Sequence, residues 1–269
     1  MRSRHTDLAE AHYRPHRVAG VDFHTSRHGY GDASVVSYRF PGPEVREGPD
    51  FVLVHGIGVS ARSYGPTAAA LAARGETHLV DLPGYGRSPR PDRDFGIGDH
   101  AEVVSRYLDS LGLDHPVLVG HSMGAQVVAE VAARHPGLVD HVVLIGPVMP
   151  PDARTLRVAA ARIARDGLKE PLSVSALAFD DYLFRAGVPY MLEQLPHLLR
   201  YPIEETAAAV AASTLVLCGE DDVVAPPPWG RELAARFERG RFATVPGPHG
   251  SMFAAPRRIA SQIDDHARR

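Results

Sequence analysis

One cysteine, Cys218, in a chain of 269 residues leaves no partner for an intramolecular disulfide. Stability must then come from a buried apolar core, which a chain of this length can build. Lysine is nearly absent as well: Lys169 is the single one among 29 basic residues, which face 32 acidic ones for a net charge of −3. That balance leaves no basic surplus for nucleic acid or anionic lipid. No apolar run approaches the length of a membrane span. Residues 1–17 are polar, rich in Arg and His, and lack the apolar stretch of a secretory signal. Metal-ligand spacings, dinucleotide fingerprints and phosphate loops are missing too, so neither a cofactor nor a metal is expected. These absences describe a soluble, cytoplasmic protein with no nucleic-acid and no membrane partner.

What is present is alternation. Strand signals at 18–26 and 34–40 flank a Gly-containing turn at 29–31, and a Pro/Gly-rich connection follows at 41–49. Short apolar runs at 51–55, 77–82, 116–120 and 141–145 read as strands buried on both faces. Helical spacing fills the gaps at 61–74, 98–111 and 125–134. Between Pro147 and Ala212 the strands stop, and helical stretches replace them at 153–165, 174–184, 190–199 and 203–211. Alternation resumes at 214–218, 228–237, 241–245 and 257–267. This order predicts an α/β fold with a mostly parallel sheet flanked by helices. Residues 1–149 and 212–269 form the core, and 150–211 an inserted helical cap. In open α/β sheets ligands bind at the carboxyl edge of the strands, where a cap would act as a lid.

Gly120-His121-Ser122-Met123-Gly124 follows the apolar Val117-Leu118-Val119 and leads into a helix. A Gly-x-Ser-x-Gly pattern is common by chance, and a serine there can simply cap a helix. Between strand and helix, the pattern suits a strained turn that presents the Ser122 hydroxyl, with small flanking residues to avoid clashes. A serine needs a base. Of the 15 histidines, His249 lies just past the strand ending at Val245, in a Gly-Pro-His-Gly loop at the same edge. His55 and His121 sit in motif turns, while His100, His135 and His197 fall on helices. The base needs an acid to set its tautomer. Asp221 and Asp222 follow the 214–218 strand through Gly219-Glu220, and Asp222 is preferred. The candidate catalytic residues are therefore Ser122, Asp222 and His249, in the order Ser, acid, His. The backbone amides of Ile57, in His55-Gly56-Ile57-Gly58, and of Met123 are the candidate oxyanion donors.

With these residues in place, the chain resembles the α/β-hydrolase fold superfamily over nearly its whole length, in the branch with a serine nucleophile and a helical cap. His55–Gly58 looks like the oxyanion turn, and Asp81-Leu82-Pro83-Gly84-Tyr85-Gly86-Arg87-Ser88 like the superfamily's D-x-P-G-x-G-x-S loop. Gly120–Gly124 resembles the nucleophile elbow, Gly219–Asp222 the acid turn, and 246–256 the terminal histidine loop. The resemblance implies an eight-stranded core with the cap after the sixth strand, and a structural role for Asp81 in anchoring its loop. The sequence departs from the superfamily pattern at Ala254, where the histidine loop often has Glu, and at Ser213-Thr214, where a Pro often precedes the strand. A serine at the elbow sets aside the branches that use Asp there.

The resemblance implies a serine hydrolase acting through an acyl-enzyme on an ester, thioester or lactone. C–C bond hydrolysis, acyl transfer, lyase or cyclase chemistry and a non-catalytic ligand receptor stay open as alternatives. The cap is apolar, with Leu172, Leu177, Phe179, Tyr182, Phe184, Tyr190, Met191, Leu195, Leu198 and Tyr201. Most of these must form the cap's own core, and the remainder would favour a small to medium acyl substrate. Arg154, Arg157, Arg162 and Arg165 recur at helical spacing, usually the pattern of a solvated face, with an arginine turned inward to bind a substrate carboxylate as the alternative. Oligomeric state is not readable.

Overall fold

The computed structural model describes residues 16–45, 48–167, 169 and 187–269. The expected helix at 174–184, and Leu172, Leu177, Phe179, Tyr182 and Phe184, lie outside these residues, as does most of the polar N-terminal stretch.

Within the described residues the strands are β1 (His16–Val18), β2 (Val21–Tyr30), β3 (Ala33–Phe40), β4 (Phe51–Val54), β5 (Thr77–Asp81), β6 (Val117–His121), β7 (His141–Ile145), β8 (Ser213–Gly219) and β9 (Gly240–Val245). They form one sheet in the order β1-β2-β3-β5-β4-β6-β7-β8-β9. The strands from β4 onward pair in parallel, and β1 to β3 form an antiparallel edge. The sheet is mostly parallel, as the alternation predicts, but it has nine strands where eight were expected. The extra strand is the three-residue β1, joined to β2 by a two-residue hairpin in which Ala19 and Gly20 both take positive φ (50° and 85°). Three residues carry too little periodicity to announce a strand.

The central strands read as uniformly apolar because both of their faces are covered. Val52, Val54, Leu118, Val142, Leu144 and Val216 face one core layer. Phe51, Leu53, Val117, Val119, Val143, Ile145, Leu215 and Leu217 face the other. Each fully buried aliphatic side chain contributes about 1.5–3 kcal/mol, so two such layers hold the fold without a disulfide. The first layer is closed by α2 (Ile97–Leu111), α3 (Met123–Arg134) and α7 (Pro227–Ala234), and the second by α1 (Gly65–Leu71) and α9 (Pro256–Ala267). The helix expected at 61–74 divides at Gly65 into a 3-10 turn, Ala61–Tyr64, and the short α1. Pro66 falls at the start of α1, where its missing N–H costs nothing.

Between β7 and β8 lie α4 (Leu156–Gly167), α5 (Val188–Arg200) and α6 (Ile203–Thr206). Helix α5 docks on the carboxyl side of the sheet. Its Tyr190 hydroxyl donates to the Pro83 carbonyl (3.1 Å) and its Gln194 Oε1 meets His100 Nε2 (3.1 Å). The Leu198 carbonyl accepts from Gln126 Nε2 at 2.9 Å. The Tyr190 ring lies on Gly84, where any Cβ would come within 2.1 Å of it. Arg154 is the inward-turned arginine: it precedes α4, has a side chain only 8% exposed and pairs with Glu204, whereas Arg157 and Arg165 are exposed. No helix among the described residues is long and apolar enough to cross a membrane.

Candidate active site

Ser122 stands between β6 and α3 with φ 54° and ψ −118°, a strained conformation for a residue that carries a Cβ. Its amide donates to the Ile145 carbonyl (3.0 Å), which ties the turn to β7. The flanking glycines are obligatory. A Cβ on Gly120 would lie 2.2 Å from the Gly124 carbonyl oxygen, and one on Gly124 would lie 2.3 Å from that of Val54. The hydroxyl-bearing residue is 7% exposed.

His249 and Asp222 meet at the same edge, His249 Nδ1 lying 2.9 Å from Asp222 Oδ2. The Asp222 side chain is fully buried, and its other oxygen accepts the amides of Val224 and Ala225, both at 2.8 Å. Asp221 is exposed and participates through its main chain, donating to the Gly247 carbonyl (3.1 Å). That bond joins the acid turn to the histidine loop. Gly219 permits the join, since a Cβ there would lie 2.3 Å from the Gly247 oxygen. With the carboxylate on Nδ1, the imidazole carries its proton there and leaves Nε2 as the basic nitrogen.

The His55–Gly58 turn packs on the serine: a Cβ on Gly56 would lie 2.9 Å from Ser122 Cβ. His55 Nδ1–H donates to the Gly56 carbonyl (2.7 Å) and Nε2 accepts the Leu82 amide (3.0 Å), so its ring supports backbone. Ile57 follows directly, and Met123 opens α3, where the first N–H groups have no intrahelical acceptor. The structure therefore brings the five predicted site residues to one edge of the sheet. Asp81 lies elsewhere in function: its carboxylate accepts the Tyr38 hydroxyl (2.7 Å) and the amides of Ala61 and Arg87 (2.8 Å each). Among the described residues no group of three His, Cys, Asp or Glu side chains is placed to hold a metal ion.

Two contributors, Gly146 and Asp166, escaped the sequence reading, while His121, placed there in a motif turn, turns out to support backbone. Gly146, at φ 51°, backs the His249–Asp222 pair. His121 Nε2 donates to the His249 carbonyl at 3.1 Å, and burial holds its imidazole well below the ordinary histidine range, with His249 adding to the effect. Asp166, at the end of α4, accepts the His249 amide at 3.1 and 3.3 Å. A glycine directly after a buried strand was the available signal for Gly146, and Asp166 had none.

A mostly parallel sheet covered on both faces, with a strained serine at a strand-to-helix turn and a carboxylate-bound histidine at the same edge, defines an α/β-hydrolase fold. The chain belongs to the alpha/beta hydrolase family, whose family model matches residues 51–262. It is 30% identical over 199 residues to an uncharacterized protein of Mycobacterium tuberculosis, covering 70% of this chain and 56% of that protein. The chain thus spans little more than half the length of that relative. It is 29% identical over 252 residues to the pimeloyl-[acyl-carrier protein] methyl ester esterase of Nitrosospira multiformis, covering 82% of this chain and 95% of the esterase. In fold it superposes on the enol-lactonase from Burkholderia xenovorans LB400 with a TM-score of 0.76 at 21% identity, over 90% of this chain and 100% of the other.

Proposed function

We propose that the protein is a serine hydrolase that cleaves an ester, thioester or lactone of a small to medium acyl substrate through an acyl-enzyme. The observation that carries this reading is the 2.9 Å contact of His249 with Asp222 at the edge where Ser122 is held at φ 54°. In the proposed cycle His249 Nε2 takes the Ser122 hydroxyl proton as the oxygen attacks the substrate carbonyl. The Ile57 and Met123 amides hold the resulting oxyanion, each contributing about 3 kcal/mol to the transition state. His249 then gives its proton to the leaving alcohol or thiol. A water, deprotonated by the same nitrogen, attacks the acyl carbon, and His249 returns that proton to the departing Ser122 oxygen, releasing the acid and free Ser122.

Residues 150–211 serve as a cap in this reading. Supporting it, α5 docks on the Pro83-Gly84 loop, and Arg162 of α4 donates to the Val223 and Val224 carbonyls (3.3 and 3.4 Å). In this reading a helix at the acid turn and one at the Pro83-Gly84 loop would favour a small acyl group over a polymer. The esterase named among the relatives is consistent with an acyl carbon as the point of attack. The test is labelling with a fluorophosphonate followed by peptide mapping, alongside hydrolysis of p-nitrophenyl esters of graded chain length. Modification at Ser122 and loss of turnover in Ser122→Ala are expected. Full activity in Ser122→Ala would overturn the proposal.

A further inference from the structure

The His249 loop offers its histidine little regular structure. His249 lies between β9 and the short helix α8 (Ser251–Ala254), flanked by Gly247 at φ 113°, Pro248 and Gly250. Its peptide groups are nevertheless held from two sides by side chains remote in the chain. His121 donates to its carbonyl. On the other side the Asp166 carboxylate takes its amide with both oxygens, at 3.1 and 3.3 Å. The same carboxylate accepts the amide of Val223, the residue after Asp222, at 3.4 Å.

We infer that Asp166 is a positioning residue: it bridges the histidine loop to the acid turn and makes the alignment of His249 depend on the docking of α4. The inference rests on the proposed Ser122–His249–Asp222 chemistry. Three polar side chains from this one segment reach the acid turn. Arg162 donates to the Val223 and Val224 carbonyls, Lys169 Nζ donates to the Asp221 carbonyl (2.8 Å), and Asp166 accepts on the opposite polarity. Arg162 and Lys169 take main-chain carbonyls of the acid turn alone, whereas Asp166 also reaches His249. Asp166 is 4% exposed. A buried carboxyl is retained at a cost unless it is hydrogen-bonded, and these amides supply the bonds. Burial holds this carboxyl above its ordinary value; His249 pulls it down and the Asp222 carboxylate pushes it up. Asp222 fixes the ring at Nδ1, His121 and Asp166 fix the main chain, and together they leave the imidazole little freedom to drift. A displacement of about 1 Å in a reacting group can cost on the order of a hundredfold in rate.

The test compares wild type, Asp166→Ala and Asp166→Asn by fluorophosphonate labelling of Ser122, by kcat and KM on a short p-nitrophenyl ester, and by thermal unfolding. In folded Asp166→Ala the labelling rate and kcat should fall at least tenfold while KM stays within about twofold, the pattern of lost alignment rather than lost binding. Asp166→Asn keeps one acceptor oxygen and should fall between the two. A folded Asp166→Ala that labels within twofold of wild type, or that raises KM with kcat unchanged, would overturn the inference. If instead Asp166→Ala does not fold, Asp166→Asn decides alone: wild-type labelling there overturns the inference, and a partial loss at unchanged KM supports it. Wild-type protein that is not labelled at Ser122 would overturn the triad reading itself, which separates that failure from the failure of the Asp166 arm.

Discussion

Gly146 and His249 are in direct contact: a Cβ on Gly146 would lie 2.9 Å from both Nδ1 and Cε1 of the imidazole and 3.1 Å from Asp222 Oδ2. The glycine directly follows β7, its amide bonding to the Leu217 carbonyl (2.8 Å), and takes a φ of 51° that side chains disfavour. The same residue that closes the strand therefore leaves the space in which the histidine and its carboxylate meet.

Gly146→Ala is expected to push the imidazole off Asp222 and to strain the backbone. Strain of this kind costs about 1–3 kcal/mol, visible as a lower urea midpoint. Ester turnover should fall at least tenfold, since the ring cannot move back without displacing the carboxylate. An alanine variant with native turnover would show that the ring has room the geometry denies it.

Asp222→Asn tests the tautomer. Asparagine can keep its oxygen toward the Val224 and Ala225 amides, which turns its NH2 toward His249 Nδ1. The imidazole must then accept at Nδ1 and carry its proton on Nε2, where it cannot act as a base. Such a tautomer change lowers kcat on the order of 10⁴-fold, with KM little altered. Asp221→Asn, at an exposed position, should stay within about twofold of wild type, and parity of the two variants would discredit Asp222 as the acid.

The sheet, and the meeting of the five candidate site residues at one of its edges, were legible because their signals are local. Buried parallel strands show as short apolar runs, and Gly120, Gly124 and Gly219 sit where a side chain would strike backbone. Boundaries were less legible. The helix predicted from Ala125 begins at Met123, directly after Ser122, because the strained serine is itself the turn. The stretch at 203–211 splits into α6 and a 3-10 turn, Ala207–Ala209. Gly146 and Asp166, and the particular partner of His121, were missed for a different reason. Each acts on His249, which is distant in the chain, and such contacts leave no periodicity to read.

Buried histidines set the acid limit of stability. Burial lowers His100 and His266 to about 4, lowers His121 well below its usual value, and lowers His28. Their folded values lie below the ordinary 6.5, so below that pH the unfolded chain binds protons that the native state refuses. Each such group adds nothing above pH 6.5 and destabilises progressively as the pH falls toward its folded value. The slope is on the order of 1.4 kcal/mol per pH unit per fully refused proton. Glu76, held at about 2 by His78 and Arg39 against the opposing effect of burial, acts lower, losing its contribution only as pH falls from about 4.5 toward 2. Urea midpoints measured from pH 8 to 4.5 should stay level down to about 6.5 and then drop. His100→Gln should flatten the drop, and a midpoint that rises on acidification would contradict this assignment.

Arg154 and Glu204 make a two-bond ion pair among the described residues between β7 and β8. Arg154 Nη1 lies 3.0 Å from Glu204 Oε1 and Nη2 lies 2.6 Å from Oε2, with side-chain exposures of 8% and 17%. The same guanidinium donates to the carbonyls of Met149 (3.1 Å) and Tyr201 (3.2 Å), so four bonds converge on one planar group. Arg154→Ala leaves a half-buried carboxylate and two carbonyls without that donor, and loss of one partner from a fully buried pair costs about 3–5 kcal/mol, the upper end expected here. Lysine cannot reproduce the fork, so Arg154→Lys should recover less than half of that loss. Removing both charges in Arg154→Met with Glu204→Leu eliminates the uncompensated carboxylate and should be less damaging than Arg154→Ala alone. Urea unfolding of the four proteins ranks them directly. If Arg154→Ala shifts stability by less than 1 kcal/mol, the pair behaves as a surface ion pair, and the insertion is held to the core by α5 and its contacts at Pro83, His100 and Gln126 instead.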